Sequence, residues 1–413
     1  MTDLLVVGAG AAGLWAAERA AREGMRVVLL EKTPRAGTKI LASGGTRCNL
    51  TTTLSPDQAA RLFGAAERFI QPALRALTPG NVRHRFAALG VPTVTEPAWE
   101  KVFPESQRAV DVRDALLRAA RASGVVVRCN AAVTAIEPEW AVHTATEILR
   151  APRLILCAGG KSYPRTGTTG DGYAWLRALD LPVVDPVPAL VPLRSPAGWV
   201  RELSGISLQD TEARLVDASG KVIGRRARPV LFTHTGLSGP GAMDLSAHVA
   251  RGGTWRVLLD LVPRWPEEAL RTALLDAAGR PGGPRLARVL GETLPGRIVT
   301  AATRQAGIDE DNPALHSLDR KRRNLLVDAL KGLAVPIDGV LGWDQAEVTA
   351  GGLALDAVDR TTMAVSGHPG LYVIGELLDL TGPIGGLNFQ AAFSTGEVAA
   401  RHAVATARAA GIP

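Results

Sequence analysis

The chain has 413 residues, of which 46% are hydrophobic and 4% aromatic, and its formal net charge is +7. This length predicts two or three domains rather than one core. The cysteines Cys48, Cys129 and Cys157 have no C-x-x-C spacing, which argues against a disulfide framework and a zinc site and favours a reducing compartment. Because no uncharged apolar run reaches the length of a membrane span, we expect a cytoplasmic protein.

The first segment predicts a nucleotide-binding unit. LLVV at 4–7 is an apolar strand, and Gly8, Gly10 and Gly13 follow it with the G-x-G-x-x-G spacing. An alanine-rich helix and a second apolar strand come next, and Glu31 stands where an acid accepts hydrogen bonds from ribose hydroxyls. The order of these elements predicts a dinucleotide site without a 2′-phosphate. NAD and FAD both fit this half of the site.

The rest of the chain alternates between helical and extended patterns. We predict helical structure over 57–89 with a break at Pro79, a hairpin over 91–106, a helix over 108–122, a strand pair over 125–138 and a strand over 153–160. Residues 193–262 are mainly β, and four helices follow at 266–278, 283–293, 295–306 and 313–331. A buried strand over 370–379 and a helix over 388–410 complete the chain.

Four glycine-bearing segments lie far apart in the sequence, at 8–13, 37–51, 158–172 and 375–396. Two of them follow buried strands, whose carboxyl ends form the ligand-binding edge of an open α/β sheet. A flavin dinucleotide needs a second set of contacts for its ring, and the C-terminal segment supplies one. This favours FAD over NAD. No histidine or cysteine stands in an attachment motif, so we expect noncovalent FAD.

Four segments carry a family resemblance: KILASGGTRCNLTT, GGKSYPRTGTTGDGY, LFTHTGLSGP and IGELLDLTGPIGGLNFQAAFSTG. They resemble the signature segments of the aminoacetone-oxidase-like (BaiN/YhiN-type) family of FAD flavoproteins, in order from residue 4 to about 396. Thr46 and Thr52 depart from the commoner GGGRCNVTN form but leave the Arg-Cys-Asn core intact.

The resemblance, together with the composition, implies an α/β fold. It has a Rossmann-like FAD-binding domain of two chain segments, an inserted β-rich domain and a small helical domain. The predicted boundaries are 1–190 for the first FAD-binding segment, 191–262 for the β-rich substrate domain, 263–331 for the helical domain, 332–346 for a return strand of the β-rich domain and 347–413 for the second FAD-binding segment.

The resemblance also implies cofactor contacts, position by position. The ADP half would be held by Gly8, Ala9, Gly10, Gly13, Glu31 and Lys32. The diphosphate and flavin would be lined by Lys39, Ser43, Gly44, Gly45, Arg47, Cys48 and Asn49. Val133 backbone groups would meet the adenine, and Ala158, Gly159 and Gly160 would pass the ribityl chain. The pyrimidine side of the ring would be approached by Gly375, Glu376, Gly386, Leu387, Asn388 and Gln390.

The candidate catalytic residues are Arg47, Asn49, Tyr163 and His234. Arg47 is suited to balancing a diphosphate or a substrate carboxylate. His234 is a candidate general acid or base, although a histidine in a turn-rich segment is more often a structural hydrogen-bonding group. Cys48 lacks a nearby second cysteine, so packing beside FAD is the expected role rather than disulfide chemistry.

The predicted function is that of an FAD-dependent oxidoreductase that acts on a small molecule by hydride transfer at flavin N5. An amine or amino-ketone oxidase and an NAD(P)H-driven reductase of a conjugated carbonyl both remain open. No second G-x-G-x-x-G stands in a strand–helix context, so NADH or NADPH would dock only transiently as electron donor.

An alternative function is that of a flavin-dependent RNA-modifying or RNA-binding protein, because the chain is basic. The densest basic run, DRKRRN at 319–324, is more typical of a solvated helix face than of a nucleic-acid patch. We therefore expect a small-molecule substrate rather than a nucleic acid or a membrane as partner, and we predict no metal site. Nothing in the sequence indicates an oligomeric state.

Overall fold

The computed structural model describes residues 2–96, 99–280, 282–291 and 294–411. The chain divides into two compact units, one formed by Met1–Pro188 with Trp343–Pro413 and the other by Ala189–Gly342. None of the helices in the described ranges combines the length and the hydropathy that crossing a bilayer requires.

The helices are α1 Ala11–Arg22, α2 Thr38–Ala42, α3 Pro56–Arg61, α4 Glu67–Ala76, α5 Pro79–Ala88, α6 Ala109–Ala122, α7 Asp171–Ala178, α8 Gly198–Glu202, α9 Pro240–Met243, α10 Ser246–Ala250, α11 Glu267–Ala278, α12 Leu286–Val289, α13 Gly296–Gln305, α14 Arg320–Lys331 and α15 Leu387–Ala409. The strands are β1 Leu4–Val7, β2 Val27–Leu30, β3 Thr51–Thr52, β4 Thr93–Glu96, β5 Lys101–Pro104, β6 Val126–Arg128, β7 Val133–Glu137, β8 Ala141–Thr144, β9 Ile148–Arg150, β10 Leu154–Leu156, β11 Val183–Ala189, β12 Leu193–Arg194, β13 Ser207–Leu208, β14 Glu212–Val216, β15 Val222–Arg226, β16 Val230–Phe232, β17 Gly236–Ser238, β18 Trp255–Asp260, β19 Leu333–Ile337, β20 Gly339–Val340, β21 Val348–Leu353 and β22 Leu371–Val373.

A parallel five-stranded sheet forms the centre of the first unit. Its strand order is β22-β10-β1-β2-β6, and Leu5 pairs with Leu154 on one side and with Val28 on the other. β1, β2, β10 and β22 are apolar and buried throughout, as strands covered on both faces must be. The Rossmann-like α/β fold is therefore confirmed, and the carboxyl ends of these strands share one edge.

Helices α1 and α15 pack closely against each other in this unit. A Cβ at Gly396 would lie 2.9 Å from the Ala12 carbonyl oxygen, so only glycine permits this approach. The Trp15 indole donates a 2.9 Å hydrogen bond to the buried Glu397 carboxylate, and its ring lies 5.0 Å from that of Phe393. This packing fixes the N-terminal end of α1 against the sheet.

The predicted strand pair over 125–138 is wrong. β6 joins the parallel sheet beside β2, with Val126 opposite Val28. β7 instead pairs with β8 in a separate antiparallel sheet of β7, β8 and β9. Both runs have strand propensity, but their partners lie elsewhere in the chain, and local spacing does not report them.

The second unit contains two antiparallel sheets and several helices. The sheets have the orders β13-β16-β17-β12-β20 and β15-β14-β18-β19. Residues from strands and helices, among them Leu215, Val257, Leu274 and Leu326, belong to one hydrophobic cluster. The finer division of this region into a β-rich and a helical domain stays a prediction.

Candidate functional site

The glycine loop between β1 and α1 has the shape of a phosphate cradle. A Cβ at Gly8, whose φ is +109°, would lie 2.4 Å from the Cys157 carbonyl oxygen, and one at Gly13 would lie 1.9 Å from the Gly8 carbonyl oxygen. A Cβ at Gly10 would meet no atom within 4 Å. Two glycines are thus required by packing, whereas Gly10 borders open space at the N-terminus of α1, where anions bind.

Glu31 follows β2 and lies directly against this loop. One carboxylate oxygen accepts a 3.1 Å hydrogen bond from the Ala9 backbone N–H, and the other accepts bonds from the Thr33 backbone and hydroxyl. Lys32 forms a 2.6 Å ion pair with Asp171, at the first turn of α7. The structure therefore places Glu31 against the glycine loop, whereas the Lys32 ammonium pairs with the first turn of α7.

The segment after α2 has an unusual backbone. Gly44, Gly45, Thr46 and Cys48 have φ values of 54°, 64°, 70° and 61°. Thr46 and Cys48 are not glycines, so their left-handed conformations store strain of the kind concentrated at functional sites. The Cys48 thiol is fully buried, and burial raises its pKa to about 12, which keeps it protonated. A thiolate role for Cys48 has no support here.

Arg47 and Asn49 hold this segment to the neighbouring hairpin. The Arg47 guanidinium lies 4.0 Å from the centre of the Phe103 ring, bonds Gln107 and pairs with Glu96. Asn49 Oδ1 accepts a 3.2 Å hydrogen bond from the Val102 backbone N–H. Both side chains thus have partners on β4, β5 and the residues just after them.

A polar cluster joins three of the predicted segments. Lys39 Nζ lies 2.5 Å from Glu376 Oε2 and 2.6 Å from Ser162 Oγ. Glu376 Oε1 accepts hydrogen bonds from the Thr349 backbone N–H at 2.9 Å and from the Ser162 hydroxyl at 3.1 Å. We call Lys39, Ser162, Thr349 and Glu376 the Lys39–Glu376 cluster.

Lys39 and Glu376 are among the predicted cofactor contacts, whereas Ser162 and Thr349 are not. Ser162 is fully buried, and a Cβ at Gly160 would lie 2.1 Å from Thr349 Oγ1. The usable signal was the position of Ser162 just after the Gly159–Gly160 pair. Nearby, burial, together with the charge of Glu376, raises the pKa of Tyr173.

The C-terminal segment returns to the same edge of the sheet. Gly375 follows β22, and a Cβ there would lie 3.0 Å from the Ala12 side chain. Gly386 precedes α15 with φ +81°, and a Cβ there would lie 2.2 Å from the Thr51 carbonyl oxygen. The structure therefore brings the first and last glycine segments together around α1 and β3.

The remaining predicted residues of this segment have partners within the protein. Asn388 exchanges two hydrogen bonds with the Gly382 backbone, at 2.9 and 2.8 Å. Gln390 is fully buried, and its amide bonds Thr51, the Leu77 carbonyl and Ser394. Leu387 is buried as well. These side chains shape the segment, and their predicted contact with a ring stays a prediction.

The other predicted residues lie in several places. Val133 begins β7, and Ala158 and Gly159 follow β10. Tyr163 has a left-handed φ of 52° and is half-buried, and burial together with the charge of Glu347 raises its pKa. His234 lies on the exposed turn between β16 and β17 of the second unit. Ser43 Oγ donates to the Ile40 carbonyl at 2.6 Å.

These residues fit an FAD molecule. The open space at Gly10 and at Gly45, where an added Cβ meets nothing within 4 Å, leaves backbone accessible to phosphates. Glu31 bonds the loop at Ala9, and the Lys39–Glu376 cluster joins the segments that follow β10 and β22. Among the described residues, no group of three or more histidine, cysteine or acidic side chains is placed to hold a metal ion.

The chain matches the family model described as the HI0933-like protein Rossmann domain over residues 2–402. It is 29% identical to the 3-dehydro-bile acid delta(4,6)-reductase of Clostridium scindens, covering 98% of this chain and 99% of the relative. It is 30% identical to the ribosomal RNA dihydrouridine synthase of Haemophilus influenzae, covering 95% and 96%.

A solved structure shows the same fold. The 3-ketosteroid delta1-dehydrogenase from Sterolibacterium denitrificans matches with a TM-score of 0.53 and 14% identity, covering 98% of this chain and 99% of that one.

Proposed function

Because the chain belongs to the HI0933-like Rossmann family of FAD-dependent oxidoreductases, the BaiN/YhiN type, we propose that it reduces a carbon–carbon double bond conjugated to a carbonyl group. The observation that carries this proposal is that two relatives, each matched over nearly its full length, are named for reactions of the same kind. A delta(4,6)-reductase of a 3-oxo bile acid and a dihydrouridine synthase both saturate such a bond. The oxidase alternative has no comparable support.

The two substrates differ in size but share one reacting unit. In a conjugated ketone and in a uracil ring, the carbonyl draws electrons from the double bond, so that the far carbon accepts hydride and the near carbon accepts a proton. When bound, FAD supplies the hydride at N5 of its reduced ring. The protein must therefore hold the cofactor, orient the double bond and deliver a proton.

Residues of the first unit are suited to these tasks. The glycine loop and the N-terminus of α1 would hold the diphosphate, and Glu31 the ribose. The Lys39–Glu376 cluster would bond polar groups between the diphosphate and the ring. Arg47, Asn49 and Tyr163 of this unit, and His234 of the second unit, stay candidate catalytic residues.

Tyr163 is our candidate proton donor. Its pKa is raised by burial, so the phenol keeps its proton at neutral pH and can donate it. It directly follows Ser162 of the Lys39–Glu376 cluster, and its backbone N–H bonds the Trp343 carbonyl at 3.1 Å. We expect Tyr163→Phe to lower kcat while FAD binding stays unchanged.

The electron donor in this proposal is NADH or NADPH, which docks transiently. The absence of a second G-x-G-x-x-G in a strand–helix context supports transient docking. The overall reaction balances: the reduced nicotinamide would supply the hydride by way of bound FAD, and the protein would supply the proton, which solvent replaces.

The test is a steady-state assay of NAD(P)H oxidation under anaerobic conditions. A 3-oxo-4-ene steroid and a uridine-containing RNA serve as acceptors, and their saturated counterparts serve as controls. We expect oxidation with at least one conjugated acceptor, a product heavier by two hydrogens, and none with the saturated compounds. Reduction of the flavin by small amines, with oxygen as the sole acceptor, would replace this proposal with the oxidase.

A further inference from the structure

The Arg47 guanidinium is held at two of its nitrogens and on one face by neighbouring side chains. Its Nε donates a 2.6 Å hydrogen bond to Gln107 Oε1, and its Nη2 pairs with the Glu96 carboxylate. The guanidinium carbon lies 4.0 Å from the centre of the Phe103 ring. A planar cation that is stacked on a ring and bonded at two nitrogens has little freedom to turn. Arg47 is therefore fixed in one orientation before a ligand binds.

The third nitrogen of this guanidinium is left for a ligand. Among the residues that the structure describes, none accepts a hydrogen bond from Arg47 Nη1, which carries two N–H donors. The Arg47 side chain is 39% exposed, so a ligand can reach it. The Lys39 ammonium, by contrast, already contacts Glu376 and Ser162. Arg47 thus combines a fixed orientation with unused donors.

The backbone around Arg47 is strained on both sides of the residue. Thr46 and Cys48 have φ values of 70° and 61°, and Gln107, which bonds Arg47, has a φ of 57°. Left-handed conformations of residues other than glycine cost free energy, and they collect where a side chain acts on a ligand. The strained residues here all serve the placement of one guanidinium, which indicates a functional rather than a packing role.

The guanidinium lies beside the glycine segment of the candidate cofactor site. A Cβ at Gly44 would lie 3.5 Å from the Phe103 ring on which Arg47 rests. Asn49, two residues after Arg47, borders Gly386, where a Cβ would lie 2.9 Å from Asn49 Oδ1. Gly386 directly precedes α15. Arg47 therefore stands where the segment after α2 meets the segment before α15.

We propose that Arg47 Nη1 donates a hydrogen bond to the carbonyl oxygen of the conjugated acceptor and stabilises the negative charge that develops on it. The inference rests on the proposed function and assigns a catalytic residue to one of its steps. When hydride adds to the carbon far from the carbonyl, the electron pair of the double bond moves towards the carbonyl group. The oxygen of the resulting enolate carries the charge, and a donor that is already oriented stabilises it without reorganisation.

The step balances with Arg47 unchanged. The guanidinium donates a hydrogen bond but keeps its protons, because arginine is not deprotonated in proteins. The enolate then takes a proton at the carbon next to the carbonyl, for which Tyr163 is our candidate donor, and the carbonyl double bond forms again. Glu96 and Gln107 act through Arg47 and are positioning residues in this scheme.

The first experiment measures the binding of an enolate mimic to the FAD-loaded protein. The probe is 4-nitrophenol, and equilibrium dialysis gives its Kd at one pH where it is neutral and at another where it is a phenolate. We expect Arg47→Gln to bind the phenolate on the order of tenfold more weakly, with little change for the neutral phenol. Arg47→Lys should recover part of the phenolate affinity, because it keeps the charge. Arg75→Gln, which breaks an exposed ion pair with Asp57, is the matched control and should match the unaltered protein.

Glu96→Gln tests the same contact by a gain of affinity. Its amide oxygen can still accept a hydrogen bond from Arg47 Nη2, but the carboxylate no longer offsets the guanidinium charge. We therefore expect the phenolate to bind about threefold more tightly, in line with the loss of a partly exposed ion pair. Misfolding cannot produce such a gain, so this variant decides the matter even if Arg47→Gln purifies without FAD.

The second experiment follows the reoxidation of photoreduced, FAD-loaded protein in the absence of oxygen. The acceptor is whichever of a 3-oxo-4-ene steroid and a uridine-containing RNA the unaltered protein reduces, and ferricyanide serves for comparison because it takes electrons without forming an enolate. We expect Arg47→Gln to slow reoxidation by the conjugated acceptor on the order of a hundredfold and to leave reoxidation by ferricyanide unchanged.

Equal phenolate affinities in the unaltered protein and Arg47→Gln, or phenolate binding in Glu96→Gln that is unchanged or weaker, would overturn the inference. The kinetic comparison keeps the two proposals apart. If Arg47→Gln reduces the conjugated acceptor as fast as the unaltered protein does, the inference fails and the proposed function stands. If the unaltered protein reduces no conjugated acceptor, both fail.

Discussion

Lys39 and Glu376 form a 2.5 Å ion pair although 337 residues separate them in the chain. Lys39 lies in the segment after the second strand of the parallel sheet, and Glu376 follows the strand at the edge of that sheet. The pair therefore connects the N-terminal and the C-terminal chain segments of the first unit at the candidate site. Ser162 completes the connection from the segment after β10.

Substitution of this pair should weaken FAD binding. Lys39→Met leaves the Glu376 carboxylate without its cation, and we expect a Kd for FAD that is about tenfold higher, equivalent to about 1.4 kcal/mol. Lys39→Met with Glu376→Gln should lose less than the sum of the single losses, because the two residues interact directly. Titration of the apoprotein with FAD, followed by flavin fluorescence, measures each affinity.

Lys161→Met is the control for this series. Lys161 lies in the same region, but its ammonium contacts the Trp343 ring at 5.1 Å rather than a carboxylate. Its FAD affinity should stay within about twofold of the unaltered protein, in line with a weak cation–π contact. Additive losses in Lys39→Met with Glu376→Gln would show that the two residues affect FAD binding independently rather than as an ion pair.

Gly10→Ala should separate folding from cofactor binding. The backbone of Gly10 is extended, with φ −80°, and an added Cβ meets no atom within 4 Å, so alanine fits the protein itself. The new methyl group occupies the space where a diphosphate would approach the backbone. We expect apoprotein with nearly unchanged thermal stability and greatly reduced flavin content after purification.

The matched control is Gly198→Ala, another glycine with an unstrained φ and open space at its Cβ. It begins α8 in the second unit, so its flavin content should not change. Full flavin occupancy in Gly10→Ala would show that the diphosphate does not lie at this loop.

Glu397→Ala should destabilise the first unit by about 3 kcal/mol. The Glu397 side chain is 6% exposed and accepts hydrogen bonds from the Trp15 indole and from Arg19 and Arg401. Its removal leaves a buried indole N–H without its acceptor, takes a carboxylate partner from Arg401 and leaves Arg19 with Glu23 alone. Glu23→Ala breaks more exposed ion pairs to Arg19 and Arg408, and we expect a loss below about 1 kcal/mol. Urea unfolding of both variants gives the comparison, and equal losses would refute it.

The cysteines should differ sharply in their reactivity toward a thiol reagent. Cys48 is fully buried with a pKa of about 12, and burial raises the pKa of Cys157 as well, so neither forms thiolate in the folded protein. Cys129 is half-buried. At mildly alkaline pH we expect one reactive thiol in the native protein and three after denaturation. Cys129→Ser should abolish the native reaction, and persistence of that reaction would show that a buried thiol becomes accessible.

Sequence patterns identified four strands of the central sheet, because a strand that is buried on both faces can be recognised from its own residues. β1, β2, β10 and β22 are short, buried and predominantly apolar runs, which is typical of strands covered on both faces. Gly8 directly follows β1, and Glu31 directly follows β2. The glycine spacing after β1 likewise encodes a close approach that the structure shows at Gly8 and Gly13. The residues within each strand and within the glycine loop are therefore enough to predict these features.

Other features depend on partners that are distant in sequence. The pairing of β6 with β2 is decided by the parallel sheet, not by the run at 125–138. The helical region 57–89 contains a second break, where Gly64 takes φ +58° between α3 and α4. Thr349 joins the site through the hydrogen bond that its backbone N–H donates to Glu376, and no spacing in the sequence reports that contact.

The most direct test of the proposed function is a single-turnover measurement. The FAD-loaded protein is photoreduced without oxygen and mixed with a uridine-containing RNA or a 3-oxo-4-ene steroid, and the flavin absorbance is followed. Our account predicts that at least one conjugated acceptor reoxidises the flavin in amounts equal to the product formed, and that the saturated counterparts do not. Flavin that stays reduced with every conjugated acceptor and reoxidises only when oxygen is admitted would contradict it.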